Sequence, residues 1–139
     1  MRASLYFHTQ LYLNGESLPN GSSSGLLFLG NTDLSRLAGT VYLRKNGAGE
    51  RYLELAVPAG SPRAIYPVAL QTAYALELYL DNAADRWEWR MNGATVASGN
   101  ADPGAGVQTL LLSSGYRASG GSVDVYFDNV TASVEGWLE

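Results

Sequence analysis

The stretch GSVDVYFDNVTASV, residues 121–134, decides how this chain is read. Val123, Val125 and Phe127 alternate with polar residues, the period-two pattern of a half-buried strand. After Asp128 the parity changes, and Val130, Ala132 and Val134 become the inward set. A strand cannot change face without an extra residue, so the pattern predicts a β-bulge or bend at Asp128–Asn129.

The rest of the chain reads in the same way. Residues 3–14 place Leu5, Phe7, Leu11 and Leu13 on one face and Tyr6, His8, Gln10 and Tyr12 on the other, ending at Asn14-Gly15. Residues 26–29 form a short apolar strand covered on both faces. Residues 40–45 and 52–57 flank Asn46-Gly47-Ala48-Gly49 and predict a hairpin. Residues 65–70 are interrupted by Pro67 and belong at a sheet edge.

Residues 74–81 and 86–92 give the clearest local fold. With 82–85 as a loop, Leu80 faces Trp87, Leu78 faces Trp89 and Leu76 faces Met91. On the other side Asp81 meets Arg86, Tyr79 meets Glu88 and Glu77 meets Arg90. One register pairs apolar with apolar and acid with base. Asn92-Gly93 signals a type I′ turn that returns the chain with Val96 opposite Trp89. Residues 107–114 add another strand. About ten strands, short turns and no substantial helix predict an all-β, two-sheet antiparallel β-sandwich, with a single closed barrel as the competing architecture.

Composition narrows the function. A chain of 139 residues with 46% hydrophobic content is long enough for one domain with a two-layer core. The net charge of −4 and the absence of any basic cluster argue against nucleic acid or an anionic membrane as partner. Without cysteine, disulfides, thiolate metal sites and cysteine catalysis are excluded. No apolar run has transmembrane length, and the first residues lack the apolar core of a signal peptide. The chain reads as a single module, residues 1–139, excised from a larger exported protein, with Leu138–Glu139 as a cloning scar.

The runs WEWRMNGATVASG, VQTLLLSSGY and SVDVYFDNVTASV, together with YLRKNGAGERYLEL and YALELYLDNAADRWEW, resemble a concanavalin A-like, laminin G-like jelly roll. The resemblance covers most of the chain. Two departures stand out: a strand that would precede Ser4 is missing, as if the module were truncated or its partner strand came from elsewhere, and Tyr74 is the only aromatic where such domains often place one, at the start of the strand near Ala73. The resemblance implies sugar-binding lectins, adhesion modules, glycosidase domains and inert spacers as the functions to weigh.

Catalysis finds little support. His8 is the lone histidine and no orienting acid can be named for it, which makes it a surface or structural residue. The sandwich glycosidases that the chain resembles use a compact Glu-x-Asp-x-x-Glu strand motif, and nothing matches it. Glu77 and Asp81 share a face but lie roughly 13 Å apart along a strand, whereas a retaining pair needs about 5 Å. They read as a solvated ion-pair face. For a metal, Asp128 and Asn129 at the bulge could give oxygens to a structural calcium; the plainer reading is that Asp128 caps backbone N–H groups freed by the bend. Trp87 and Trp89 read as core.

Sugar contact needs flat aromatic faces with polar groups beside them. By parity Tyr6, Tyr12, Tyr42, Tyr79 and Tyr126 point away from the core, and on one sheet they would form a platform with His8, Gln10, Arg44 and Arg90. The alternative for each is an ordinary strand tyrosine covering a neighbour's stem. Loops 31–37, 99–106 and 115–121 are the candidate mouths. The expectation is a non-enzymatic, extracellular carbohydrate-binding or adhesion module with a glycan ligand. A structural or assembly module that pairs through an exposed sheet edge, as a homo-oligomer or with a parent protein's strand, is second. A glycoside hydrolase is third.

Overall fold

In the computed structural model, which describes residues 4–57, 63–81, 84–100, 107, 109–116 and 120–135, the hairpin read from residues 74–92 forms as expected. Strand β6 (Ala73–Asp81) pairs with β7 (Arg86–Met91) in the register Leu80↔Trp87, Leu78↔Trp89 and Leu76↔Met91. Asn92 and Gly93 have φ of 51° and 82°, as a type I′ turn requires. Asn92 also stands in for a partner strand at β6: its backbone N–H donates to Ala75 O and its Oδ1 accepts from Ala75 N, both at 2.8 Å.

The return strand β8 (Ala94–Gly99) corrects one expectation. Ala97, not Val96, lies opposite Trp89, because a bulge separates the Trp89 and Arg90 pairs. The shift brings small residues to both indoles. Trp87 pairs with Gly99, where a Cβ would sit 2.6 Å from the ring. Both tryptophans are buried, and neither Nε1 has a hydrogen-bond partner among the described residues. Each unmade bond costs about 1–3 kcal/mol, offset by the apolar area these side chains bury.

The remaining strands are β1 (Ser4–Glu16), β2 (Ser23–Gly30), β3 (Leu37–Lys45), β4 (Arg51–Ala56), β5 (Ala64–Pro67), β9 (Thr109–Tyr116) and β10 (Val123–Glu135). They form two five-stranded sheets, β10-β1-β6-β7-β8 and β5-β4-β3-β2-β9, antiparallel throughout. A closed barrel is thereby excluded. Strand β5, with Pro67, is an edge strand as expected. The inward rows of both sheets, among them Phe7, Leu11, Leu43, Leu55, Leu78 and Trp89, make one core. No helix among the described residues is long and apolar enough to cross a membrane.

Strand β1 runs one residue past Asn14-Gly15, to Glu16. That pair makes a bulge rather than a turn, because Gly15 and Glu16 still pair with Asp124 and Val123. At its end the Glu16 carboxylate is fully buried. Its Oε2 accepts from Arg51 Nε at 2.6 Å and lies 3.0 Å from Lys45 Nζ; its Oε1 accepts from Leu18 N at 2.6 Å. One side chain therefore ties the β1–β2 connection to the β3–β4 hairpin.

Candidate functional site

The bulge foreseen in the closing strand is present. Phe127 and Asp128 pair with Leu11 and Gln10, Thr131 and Ala132 pair with His8 and Phe7, and the register shifts between. Asn129 takes the extra position at φ 51°, a conformation that asparagine tolerates better than most residues. Opposite it, the buried Thr9 donates its hydroxyl to the Asp128 carbonyl at 3.1 Å, tying β1 to the bulge. The bulge also aims the Asn129 carbonyl at His8 Nδ1, 3.2 Å away. A carbonyl only accepts, so in the neutral ring the proton sits on Nδ1 and Nε2 is left an acceptor.

The parity change does not bury the second half of β10. Val130 is 41% exposed and Ala132 is exposed too, because β10 is an edge strand with no neighbour on its far side among the described residues. The side chain of Val134 lies outside the described residues. Where β10 and β9 close one side of the sandwich, an apolar cavity of about 210 Å³ opens among Leu5, Phe7, Leu29, Leu110 and Ala132. Its lining is mainly apolar, with Thr109 the one polar residue, and it does not coincide with the expected ligand residues.

Those residues gather on the outer face of the β10-β1-β6-β7-β8 sheet. Cross-strand pairing sets Tyr6 beside Tyr79 and Tyr79 beside Glu88; the next row sets His8 beside Glu77 and Glu77 beside Arg90. Tyr12 pairs with Tyr126 on the other side of β1. The Tyr6 and Tyr79 rings lie 4.6 Å apart between centroids, and the Tyr12 and Tyr126 rings 6.1 Å apart. One ring of each pair stays open to solvent, Tyr6 at 39% and Tyr126 at 55%. Six of the seven expected ligand residues thus share one face.

Tyr42 is the seventh, and its placement is a correction. It lies with Arg44 on β3, in the other sheet, where its ring meets Phe28 edge-on at 5.4 Å and Arg44 sits 5.5 Å from its centroid. Parity gives the face of a strand, not the sheet that the strand joins.

Arg90 also behaves differently from the expected pairing. It stands across from Glu77, but its Nε donates to Glu88 on its own strand at 2.5 Å. Glu88 accepts from Thr95 Oγ1 as well, at 2.6 Å. The hydrogen bond from Arg90, and then that from Thr95, hold the Glu88 carboxyl below its ordinary range, and Glu88 in turn raises Arg90. Thr95 stands opposite Arg90, one row from Glu88 on the same face, a contact that the sequence reading, which set Glu88 only against Tyr79, did not name.

At the bulge, Asp128 Oδ1 accepts from Asn129 N at 2.8 Å, and Asn129 Nδ2 donates to Gln10 Oε1 at 3.3 Å. Asp128 thus caps the bend, the plainer of its two readings. Calcium takes six to eight oxygens. No group of three or more His, Asp or Glu side chains among the described residues could hold a metal. Of the candidate mouths, 31–37 is a turn closed by Asn31 Oδ1, which accepts from Arg36 N at 3.0 Å. Most of 99–106 and part of 115–121, like Leu138–Glu139, lie outside the described residues.

No family model matches the chain, and no curated protein matches it. Solved structures do. Alginate lyase AlyC3 in complex with dimannuronate superposes with a TM-score of 0.63 at 8% identity, over 95% of this chain and 64% of that one. The mouse laminin alpha1 chain, domains LG4-5, gives 0.59 at 13% identity, over 95% and 36%. The Caenorhabditis elegans galectin LEC-6 gives 0.50 at 12% identity, over 93% and 81%. The chain therefore spans less than two thirds of the lyase and about a third of the laminin chain. These neighbours mix enzymes with non-enzymes, so the likeness speaks to fold alone. With this sheet order and these neighbours, the chain has a jelly-roll fold of the concanavalin A-like, laminin G-like kind.

Proposed function

We propose that this chain is a non-catalytic carbohydrate-binding or adhesion module of an exported protein, and that it binds glycan on the outer face of the β10-β1-β6-β7-β8 sheet. The observation that carries the reading is the convergence of Tyr6, Tyr79, Tyr12 and Tyr126, in two ring pairs, with His8 and Arg90 between them. Tyrosine rings offer flat apolar faces to the C–H side of a sugar. The acceptor Nε2 of His8 and the amide of Gln10 offer hydrogen bonds to its hydroxyls. The neighbours include a galectin and a lyase solved with a bound uronate disaccharide, which is in keeping with a sugar ligand.

The same geometry speaks against catalysis here. Glu88, a carboxylate of this face, is held below its ordinary value by Arg90 and Thr95, away from what a general acid needs. His8 Nδ1 faces a backbone carbonyl rather than an orienting carboxylate.

A glycan panel with and without chelator, read for binding and for new reducing ends, tests the proposal. Tyr6→Ala and Tyr126→Ala should each weaken binding about tenfold, or 1.4 kcal/mol. Tyr42→Ala, on the opposite sheet, should leave it unchanged. Loss of binding in chelator would assign Asp128 and Asn129 to a structural calcium. New reducing ends would overturn the non-catalytic reading.

The second reading is an assembly module. It is favoured by the open side of the sandwich, where the β10 edge, the exposed Val130 and the apolar cavity could receive a strand from another chain. A concentration-independent monomer by sedimentation, together with glycan binding, would remove it.

A further inference from the structure

The two tyrosine pairs mark the ends of a track. Tyr6 and Tyr12 are six residues apart on β1, and at the rise of an extended strand that is about 20 Å. Between them the outer face presents His8 and Gln10 from β1, with Glu77 and Arg90 continuing the His8 row. The exposed ring of each pair, Tyr6 at one end and Tyr126 at the other, is a surface on which a sugar ring can lie.

The charge on this face is one-sided. Among the described residues, its carboxylates are Asp124, Asp128, Glu77, Asp81 and Glu88, against Arg86 and Arg90. Both arginines lie on β7, two strands away from β1, with the Arg90 Nε hydrogen-bonded to Glu88 and Arg86 opposite Asp81 in the β6–β7 register. A sugar carboxylate laid along β1 would meet Glu77 and Asp81 on one flanking strand and Asp124 and Asp128 on the other, with both arginines one strand further off.

We infer that the platform takes an uncharged, linear oligosaccharide lying along β1, with one sugar ring on each tyrosine pair, and discriminates against polyuronates. The inference rests on the carbohydrate-binding reading and adds the ligand's charge and direction to it. It also separates this chain from the lyase solved with dimannuronate, whose ligand carries a carboxylate on every ring. Binding at two points makes the second contact intramolecular, so affinity rises steeply once the chain reaches both pairs.

Matched sugars test it on the unaltered protein. β-1,4-linked mannose oligomers are compared with mannuronate oligomers of equal length, and glucose oligomers with glucuronate oligomers, by calorimetry. Each pair differs only in having a carboxylate for a hydroxymethyl group. At low salt the neutral hexamer should bind at least tenfold more tightly than its uronate, and 1 M salt should narrow the gap by screening the face. The neutral hexamer should also bind at least tenfold more tightly than the dimer, and Tyr126→Ala should remove that advantage. A uronate hexamer that binds as well as the neutral one overturns the charge selectivity and leaves the platform standing. An affinity independent of length overturns the track along β1. Absence of binding by every member of both series overturns the carbohydrate-binding reading itself.

Discussion

Glu16 shows how much one side chain can decide. Burial pushes its carboxyl upward, and hydrogen bonds from Arg51, Lys45 and the Leu18 backbone more than offset this, holding it below its ordinary value. A carboxyl whose pKa is lower folded than unfolded contributes stability above its unfolded value. It loses that contribution as pH falls through the folded one. Glu16→Gln should therefore cost about 3 kcal/mol at neutral pH, since it leaves two cations facing a neutral amide. It should also flatten the loss of stability below the ordinary carboxylate range. Urea unfolding of both proteins at neutral and acid pH reads both effects. Glu16 was not legible as a site because the preceding Asn14-Gly15 reads as the end of the strand. Only its pairing with Asp124 and Val123 carries β1 onward.

Among the elements, β10 carries the clearest lesson. Its change of apolar parity after Asp128 predicted a bulge, and the bulge lies at Asn129 with φ 51°. A side chain with a Cβ and no polar group is strained there, so Asn129→Ala should destabilise by about 1 kcal/mol and Asn129→Gly should be close to neutral. Thermal melts of the two variants make the comparison. Because the Asn129 carbonyl faces His8, Asn129→Ala should leave the ring's partner in place, and glycan binding should fall only as far as the fold does. The β7–β8 pairing was read less well. Equal spacing from Asn92-Gly93 puts Val96 opposite Trp89, but two adjacent inward indoles need Ala97 and Gly99 beside them, and a bulge meets that demand. Side-chain volume across the strands overrode simple counting.

For the whole molecule, the open side between β10 and β9 is where packing is least complete. Ala132→Ile would extend an aliphatic side chain over Phe7 and Leu29 in the cavity there. We expect about 1 kcal/mol of added stability, a rise of roughly 3 °C in Tm by calorimetry. What the sequence determined alone was local: alternation made the strands, Asn92-Gly93 made the turn, and facing residues set the β6–β7 register. These features depend on neighbours a few residues apart, so their signal survives without tertiary context. The platform was half legible. Parity put five tyrosines outside the core, yet it could not say that β1 lies between β10 and β6 while β3 belongs to the other sheet. The pairings of β1 join residues far apart in the chain, such as Tyr12 with Ala73 on one side and with Tyr126 on the other. Tertiary structure therefore decided that Tyr6, Tyr79, Tyr12 and Tyr126 meet on one face, that Tyr42 does not, and that Val130 stays exposed on an edge. A strand's own residues specify its two faces, whereas its place in a sheet follows from how the whole core closes.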